Sequence, residues 1–158
     1  MPSMMVSCPG GFGMIALIQR VSEASVTVDD TITSRIERGL LVFLAVQPDD
    51  DDAKAARMAE RVLTYRVFPD ETGRMNRSLV DEGLSLLTVP QFTLAANTRK
   101  GARASFTRAA PPEMGRYFFN HFVAACKESL AVVKTGVFGA DMKVLLVNDG
   151  PVTFWLEA

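Results

Sequence analysis

The chain has 158 residues, with 17 Lys+Arg against 18 Asp+Glu, one His, two Cys and 48% hydrophobic residues. That length suits one domain able to bury a core without disulfides or a structural metal. A formal charge of −1 excludes a surface coated in positive charge for bulk nucleic-acid binding and leaves room for a local basic patch.

Residues 1–13 carry no charged side chain and no sustained apolar run, so they lack the basic start and apolar stretch of a secretory signal. They read as a disordered extension or a start-site artefact, with Met14 as an alternative start, and 14–158 as a single domain. No segment is apolar for long enough to span a bilayer. Cys8 falls in the extension, which leaves Cys126 alone in the body; a lone thiol fits a cytoplasmic location.

Ile15–Val21 and Ala24–Val28 are rich in β-branched residues and predict two strands. Asp29-Asp30 predicts a hairpin turn into a strand over Thr31–Arg38. After Gly39, Leu40–Val46 is apolar on both faces, as in a buried central strand. The acidic run Asp49–Asp52 precedes a segment in which Ala55, Met58, Ala59, Val62 and Leu63 share one helical face. Acids there complement the helix dipole, so capping is favoured over a metal site.

Phe68–Gly73 predicts a turn and Leu84–Val89 a strand. Residues 97–108 contain four basic residues and no acid and predict a loop. Pro111-Pro112-Glu113 opens a second helix, proline being suited to a first turn, with Met114, Tyr117, Phe118, His121, Phe122, Ala125 and Cys126 at helical spacing. Val132–Thr135, Lys143–Val147 and Val152–Leu156 complete the strands, with turns at 135–141 and 148–151. The fold class is α/β, a mixed sheet with two amphipathic helices on one side.

A single histidine and two cysteines exclude a His-rich or four-cysteine metal site. A nucleophilic triad would have to use His121 as its base. His121 lies in an aromatic helical stripe with no local acid to orient it, and reads as a packed or partly exposed helix residue. Cys126, little more than one turn on, reads as a small core residue. The basic loop, with Arg99, Lys100 and Arg103, reads either as a solvated surface or as a phosphate contact. By spacing alone, Pro90-Gln91-Phe92-Thr93 and Gly150-Pro151-Val152-Thr153 read as strand ends.

Longer stretches change that reading. MIALIQRV, ASVTV, ERVL-YRVF, G-MN, QFTLAA-T, TG-F-ADM and NDGPVTFWLE sample the body from Met14 to the C-terminus. Together they resemble the bacterial D-aminoacyl-tRNA deacylase (D-tyrosyl-tRNA deacylase) family. Of its two signature motifs, Gly-Pro-Val-Thr stands intact at 150–153, and Ser-Gln-Phe-Thr is present as Pro90-Gln91-Phe92-Thr93.

The resemblance implies a three-layer α/β/β fold and a cytoplasmic homodimer with its active site at the interface. The partner substrate would be aminoacyl-tRNA, held at its 3′ acceptor end, with no membrane partner, cofactor or metal. The implied reaction is hydrolysis of the ester joining a D-amino acid, or glycine, to the terminal adenosine, a proofreading step that recycles free tRNA. Gly150 and Pro151, joined by a cis peptide, would reach from one subunit into the site of the other. Their carbonyls would engage the substrate α-amino group and leave no room for an L side chain. Arg20 would hold that loop, and Phe138 would pack on the terminal adenine. Gln91, Phe92 and Thr93 form the catalytic stretch, with a backbone N–H near Phe92 for the oxyanion. Thr93 is the family's candidate nucleophile, but no base accompanies it. Substrate-assisted hydrolysis through the ribose 2′-hydroxyl is therefore preferred, with Thr93 orienting ribose or water.

Two departures stand out: Pro90 replaces the family serine and removes a hydroxyl and an N–H, and Ala104 replaces a usual proline. The first implies altered selectivity among D-residues, glycine and small L-residues; the second implies a looser loop. A non-catalytic nucleic-acid-binding dimer and a small-molecule esterase of the same fold are the alternative functions.

Overall fold

The computed structural model describes residues 13–106 and 109–158. The expected extension, apart from Gly13, and Thr107-Arg108 of the basic loop lie outside the described residues.

The β-branched segments at the start of the body form one strand, β1 (Ile15–Val28), rather than two. Pairing with β8 (Lys143–Glu157), which resumes at Glu23↔Val147 after a register shift, carries it through the polar pair Ser22-Glu23, which the sequence pattern reads as a break. On one edge its first half pairs antiparallel with β3 (Gly39–Ala45), from Ile15↔Ala45 to Val21↔Gly39. Its second half pairs on with β2 (Thr31–Ile36). Asp29 and Asp30 turn the β1–β2 hairpin with φ of 50° and 63°, the positive-φ pair that a two-residue hairpin turn requires. Along the other edge runs β8, from Ile15↔Glu157 to Thr27↔Lys143.

After α1 (Asp52–Thr64), a small hairpin of β4 (Phe68–Pro69) and β5 (Met75–Arg77) and the single-turn α2 (Leu79–Glu82) lead into β6 (Ser85–Pro90). A 3-10 turn, Phe92–Ala95, and α3 (Pro112–Lys127) lead on to β7 (Val133–Thr135). Both β6 on β3 and β7 on β6 are parallel pairs, so each connection must cross over, and the long helices serve as the crossovers. The sheet order is β2-β1-β3-β6-β7, with β8 on β1.

The apolar run of β3 is explained by two cores. Leu40, Val42 and Leu44 belong to the core shared with α1 and α3. Leu41 and Phe43 join Val21, Ala24, Val26, Ile36, Leu87 and Val89 in a second core on the opposite face. The bent second half of β1, with β2, therefore covers the far side of the central strands, giving the three-layer α/β/β arrangement. A strand buried on both faces must be apolar at every position. Neighbouring strands β3 and β6 approach closely at Gly39, where a Cβ would lie 1.9 Å from the carbonyl oxygen of its partner Ser85.

On α1 the buried residues are Ala55, Met58, Ala59, Val62 and Leu63, as the spacing predicts. Asp51 is its N-cap, its side chain accepting from the Lys54 N–H at 2.8 Å. On α3 the buried face differs from the expected stripe: Gly115, Phe118, Phe119, Phe122, Val123 and Cys126 are buried, whereas Tyr117 is 54% exposed. The α2 helix escapes the sequence reading despite a reciprocal capping box between Ser78 and Asp81. No helix among the described residues is long and apolar enough to cross a membrane.

Candidate active site

The site starts where β6 leaves the sheet. The Gln91 N–H donates to the Leu44 carbonyl at 2.8 Å, which fixes the chain against β3 up to that residue. The 3-10 turn then begins, and the N–H groups of its leading residues, Phe92 and Thr93, have no acceptor inside the turn. Successive N–H groups of a strand point to opposite edges, so position 90 faces away from β3. Pro90 therefore removes no hydrogen bond from that pair, as befits a proline at a strand end.

Gln91 and Phe92 open onto a cavity of about 550 Å³. Its walls include Pro90, Phe119, Phe138 and Met142, with Pro111, Pro112 and Gly115 from the start of α3. The Phe138 ring sits at one side. The Arg116 guanidinium lies 4.8 Å from its centroid, and a Cβ on Gly115 would be 3.3 Å from its Cζ. This aromatic and aliphatic lining suits a planar heterocycle and an uncharged side chain. The Gln91 side-chain amide donates to the Thr93 hydroxyl. That partner is a donor and does not accept the hydroxyl proton, and no hydrogen bond from the Thr93 hydroxyl to a base occurs among the described residues.

Arg20, Gly150 and Pro151 form a separate cluster and do not line the cavity. The β1–β8 pairing steps from Gln19↔Thr153 to Val21↔Asn148, so the intervening Asp149–Val152 bulges out opposite Arg20. The expected turn at 148–151 is thus an extruded bulge in a continuous strand. Its Gly150–Pro151 peptide is cis. Arg20, whose side chain is 14% exposed, donates to the Asp149 carbonyl at 2.8 Å and to the Val67 carbonyl at 2.7 Å. Gly150 takes φ +147°, and a Cβ there would lie 2.6 Å from Val152 Cγ2.

The bulge also has a clamp that sequence reasoning missed. Asn148 Oδ1 accepts from the Val152 N–H at 2.7 Å, and its amide donates to the Thr153 hydroxyl at 2.9 Å. Gln19 donates to the same hydroxyl from the neighbouring strand at 3.3 Å. The asparagine preceding Gly-Pro was a signal in its own right; the role of Gln19 depends on strand register.

In the basic loop, Asn97 and Ser105 exchange two backbone hydrogen bonds of 2.9 Å. Arg99, Lys100 and Arg103 are all exposed. His121 lies away from the cavity lining, and its Nδ1 is 3.9 Å from Asp52 Oδ1. An acid absent from its local sequence is thus supplied by α1. Cys126 is fully buried, and burial pushes its thiol up to about 12, far from a reactive thiolate. No group of three or more potential metal ligands occurs among the described residues.

Known proteins match this chain over nearly its whole length. The family model described as D-Tyr-tRNA(Tyr) deacylase matches residues 17–157. A D-aminoacyl-tRNA deacylase of Alkalilimnicola ehrlichii is 60% identical over 145 residues, covering 92% of this chain and 97% of its own. One from Cronobacter sakazakii is 55% identical over 144 residues, covering 91% and 99%. Among solved structures, one described as c-Myc DNA Unwinding Element Binding Protein superposes with a TM-score of 0.87 at 38% identity, covering 91% of this chain and 98% of its own. A second, described as a probable eukaryotic D-amino acid tRNA deacylase, shares the fold at a TM-score of 0.84 and 17% identity, covering 93% and 100%. With a family model and relatives of this identity spanning almost the entire body, the chain belongs to the D-aminoacyl-tRNA (D-Tyr-tRNA) deacylase family.

Proposed function

We propose that this protein is a cytoplasmic hydrolase that cleaves the ester between a D-amino acid, or glycine, and the 3′-terminal adenosine of tRNA. The observation that carries the reading is the cavity lined by Gln91 and Phe92, at the start of a 3-10 turn, and aromatic at Phe138. An aminoacyl ester is an activated acyl group. The chain need only hold its carbonyl, the ribose and a water in register, and such positioning supplies several kcal/mol. The Phe92 or Thr93 N–H receives the developing oxyanion. Water adds to the acyl carbon, the 3′ oxygen leaves as a ribose hydroxyl, and the products are the free amino acid and tRNA.

Chiral selection falls to the Gly150-Pro151 bulge. Because this bulge does not line the cavity of its own chain, the proposed site is completed by a second copy, making the protein a homodimer. The strand that bears the bulge leaves Leu145, Val147 and Trp155 between 43% and 58% exposed, and exposed apolar side chains gathered along one strand suit an interface.

The Gln91 amide that donates to the Thr93 hydroxyl supports substrate-assisted hydrolysis, since it is no base for that hydroxyl. Thr93→Ala is expected to slow hydrolysis only about tenfold, the cost of one positioning hydrogen bond. A substrate whose terminal nucleotide lacks the 2′-hydroxyl is expected to resist cleavage. Single-turnover assays of both changes decide the matter: abolition by Thr93→Ala with the deoxy substrate still cleaved would restore threonine as the nucleophile.

A further inference from the structure

Two aromatic rings lie unburied between the cavity and the basic loop. Phe92 is 62% and Phe106 41% exposed, although large apolar side chains in this fold are otherwise mostly interior. The rings pair with centroids 5.3 Å apart, tilted by 51°. Phe92 belongs to the cavity lining, so its partner extends an aromatic ledge outward from the cavity mouth. Phe106 directly follows the Asn97–Ser105 bridge, and that bridge pins the base of the loop bearing Arg99, Lys100 and Arg103. No acidic residue occurs from 97 to 106, so these cations face outward without a neighbouring carboxylate in the loop.

An aromatic ledge beside a row of cations is the pair of features by which proteins hold single-stranded nucleic acid. The bases stack on the rings and the cations track the phosphates. A duplex would present its phosphates to the cations but keep its base faces inside the stack. We propose that Phe106, with Arg99, Lys100 and Arg103, binds the unpaired nucleotides that immediately precede the terminal adenosine. One base stacks on Phe106 and the backbone passes across the loop. The proposal rests on the deacylase reading in one respect, that the adjoining cavity takes the terminal aminoacyl-adenosine. It assigns Phe106 a role distinct from the chemistry at Phe92 and Thr93, and it makes an unpaired 3′ tail the feature recognised.

The test uses the full-length protein and two readouts. In the first, fluorescence anisotropy compares an uncharged RNA hairpin carrying a four-nucleotide 3′ tail with the same hairpin made blunt. The tailed RNA should bind at least about tenfold more tightly; Phe106→Leu should weaken its binding about tenfold, and Phe106→Trp should preserve it, since one stacked base is worth roughly 1–3 kcal/mol. Replacing Arg99, Lys100 and Arg103 by glutamine should weaken binding and flatten its salt dependence. In the second, Phe106→Leu should reduce cleavage of D-tyrosyl-tRNA about tenfold more than cleavage of D-tyrosyl-adenosine, which has no tail. Equal binding of blunt and tailed RNA, or an equal effect of Phe106→Leu on both esters, would overturn the proposal. If neither ester is cleaved by the unmodified protein while the tail preference holds, the deacylase reading fails and the ledge stands.

Discussion

Gly150→Ala is expected to reduce hydrolysis of D-aminoacyl-tRNA by about 100-fold or more, because a displacement near 1 Å in a positioning group costs that much. Gly150 holds φ +147°, where a side chain is strained, and its Cβ would lie 2.6 Å from Val152 Cγ2 and 2.9 Å from the Val152 nitrogen. The second contact is backbone and cannot rotate away, so the bulge itself must move. The same Cβ would approach Arg20 Nη2 at 3.3 Å, disturbing the side chain that holds the Asp149 carbonyl. Gly150 is exposed, so the fold should survive. Circular dichroism should give a melting temperature within a few degrees of the parent, and steady-state assays on D-tyrosyl-tRNA should show the loss. Activity retained within threefold would remove the bulge from the site.

Asp50→Asn is expected to change the pH dependence of stability strongly. The Asp50 side chain is fully buried, with Lys54 Nζ 4.0 Å from Oδ1. Oδ2 accepts from the Gln47 N–H at 2.7 Å, while Oδ1 has no hydrogen-bond partner. Burial pushes the carboxyl up from 3.8 to about 6, against the opposing pull of the Gln47 hydrogen bond and the Lys54 charge. Between those values the folded state holds more protons than the unfolded chain, so stability must fall as pH rises through this window. The contribution is full below about 3.8 and gone above about 6. Asparagine does not titrate. Stability of the Asp50→Asn variant relative to the parent should therefore rise by roughly 3 kcal/mol between pH 3.5 and pH 7, at about 1.4 kcal/mol per pH unit. Urea denaturation of both proteins across that range measures it; a difference independent of pH would show that Asp50 keeps an ordinary carboxyl in the folded state.

Much of the architecture was legible because burial and periodicity act locally. The unbroken apolar run at 40–46 announced a strand covered on both faces, and α1 buries the five residues its spacing selects. Long-range pairing decided the rest. Ser22-Glu23 looks like a strand break, yet β1 continues through it because β8 pairs along its length. Turn chemistry at Asn148–Pro151 was real, but β1 holds both flanks, so the turn became a bulge. On α3, aromatic character did not predict burial: Tyr117 and His121 stack on each other at the surface, with centroids 6.3 Å apart, while Phe119 goes inside.

The candidate site was legible in its motifs and not in its assembly. Gln91, Phe92 and Phe138 share one cavity, and Thr93 joins them through the Gln91 amide. That Arg20 meets Asp149, and that Gln19 reaches Thr153, depends on a strand register no local pattern records. The composition left His121 as the one possible histidine base; in the structure His121 does not line the cavity, its Nδ1 lies 3.9 Å from Asp52 Oδ1, and Cys126 is sealed in the core.

The most direct measurement is deacylation of tRNA charged with D-tyrosine, L-tyrosine or glycine by the purified full-length protein. Cleavage of the D-tyrosyl and glycyl esters, with the L-tyrosyl ester at least about 100-fold slower, is the predicted result, since a site that sterically excludes a side chain loses the positioning on which the rate depends. Equal cleavage of the D and L esters would contradict chiral selection by the Gly150-Pro151 bulge.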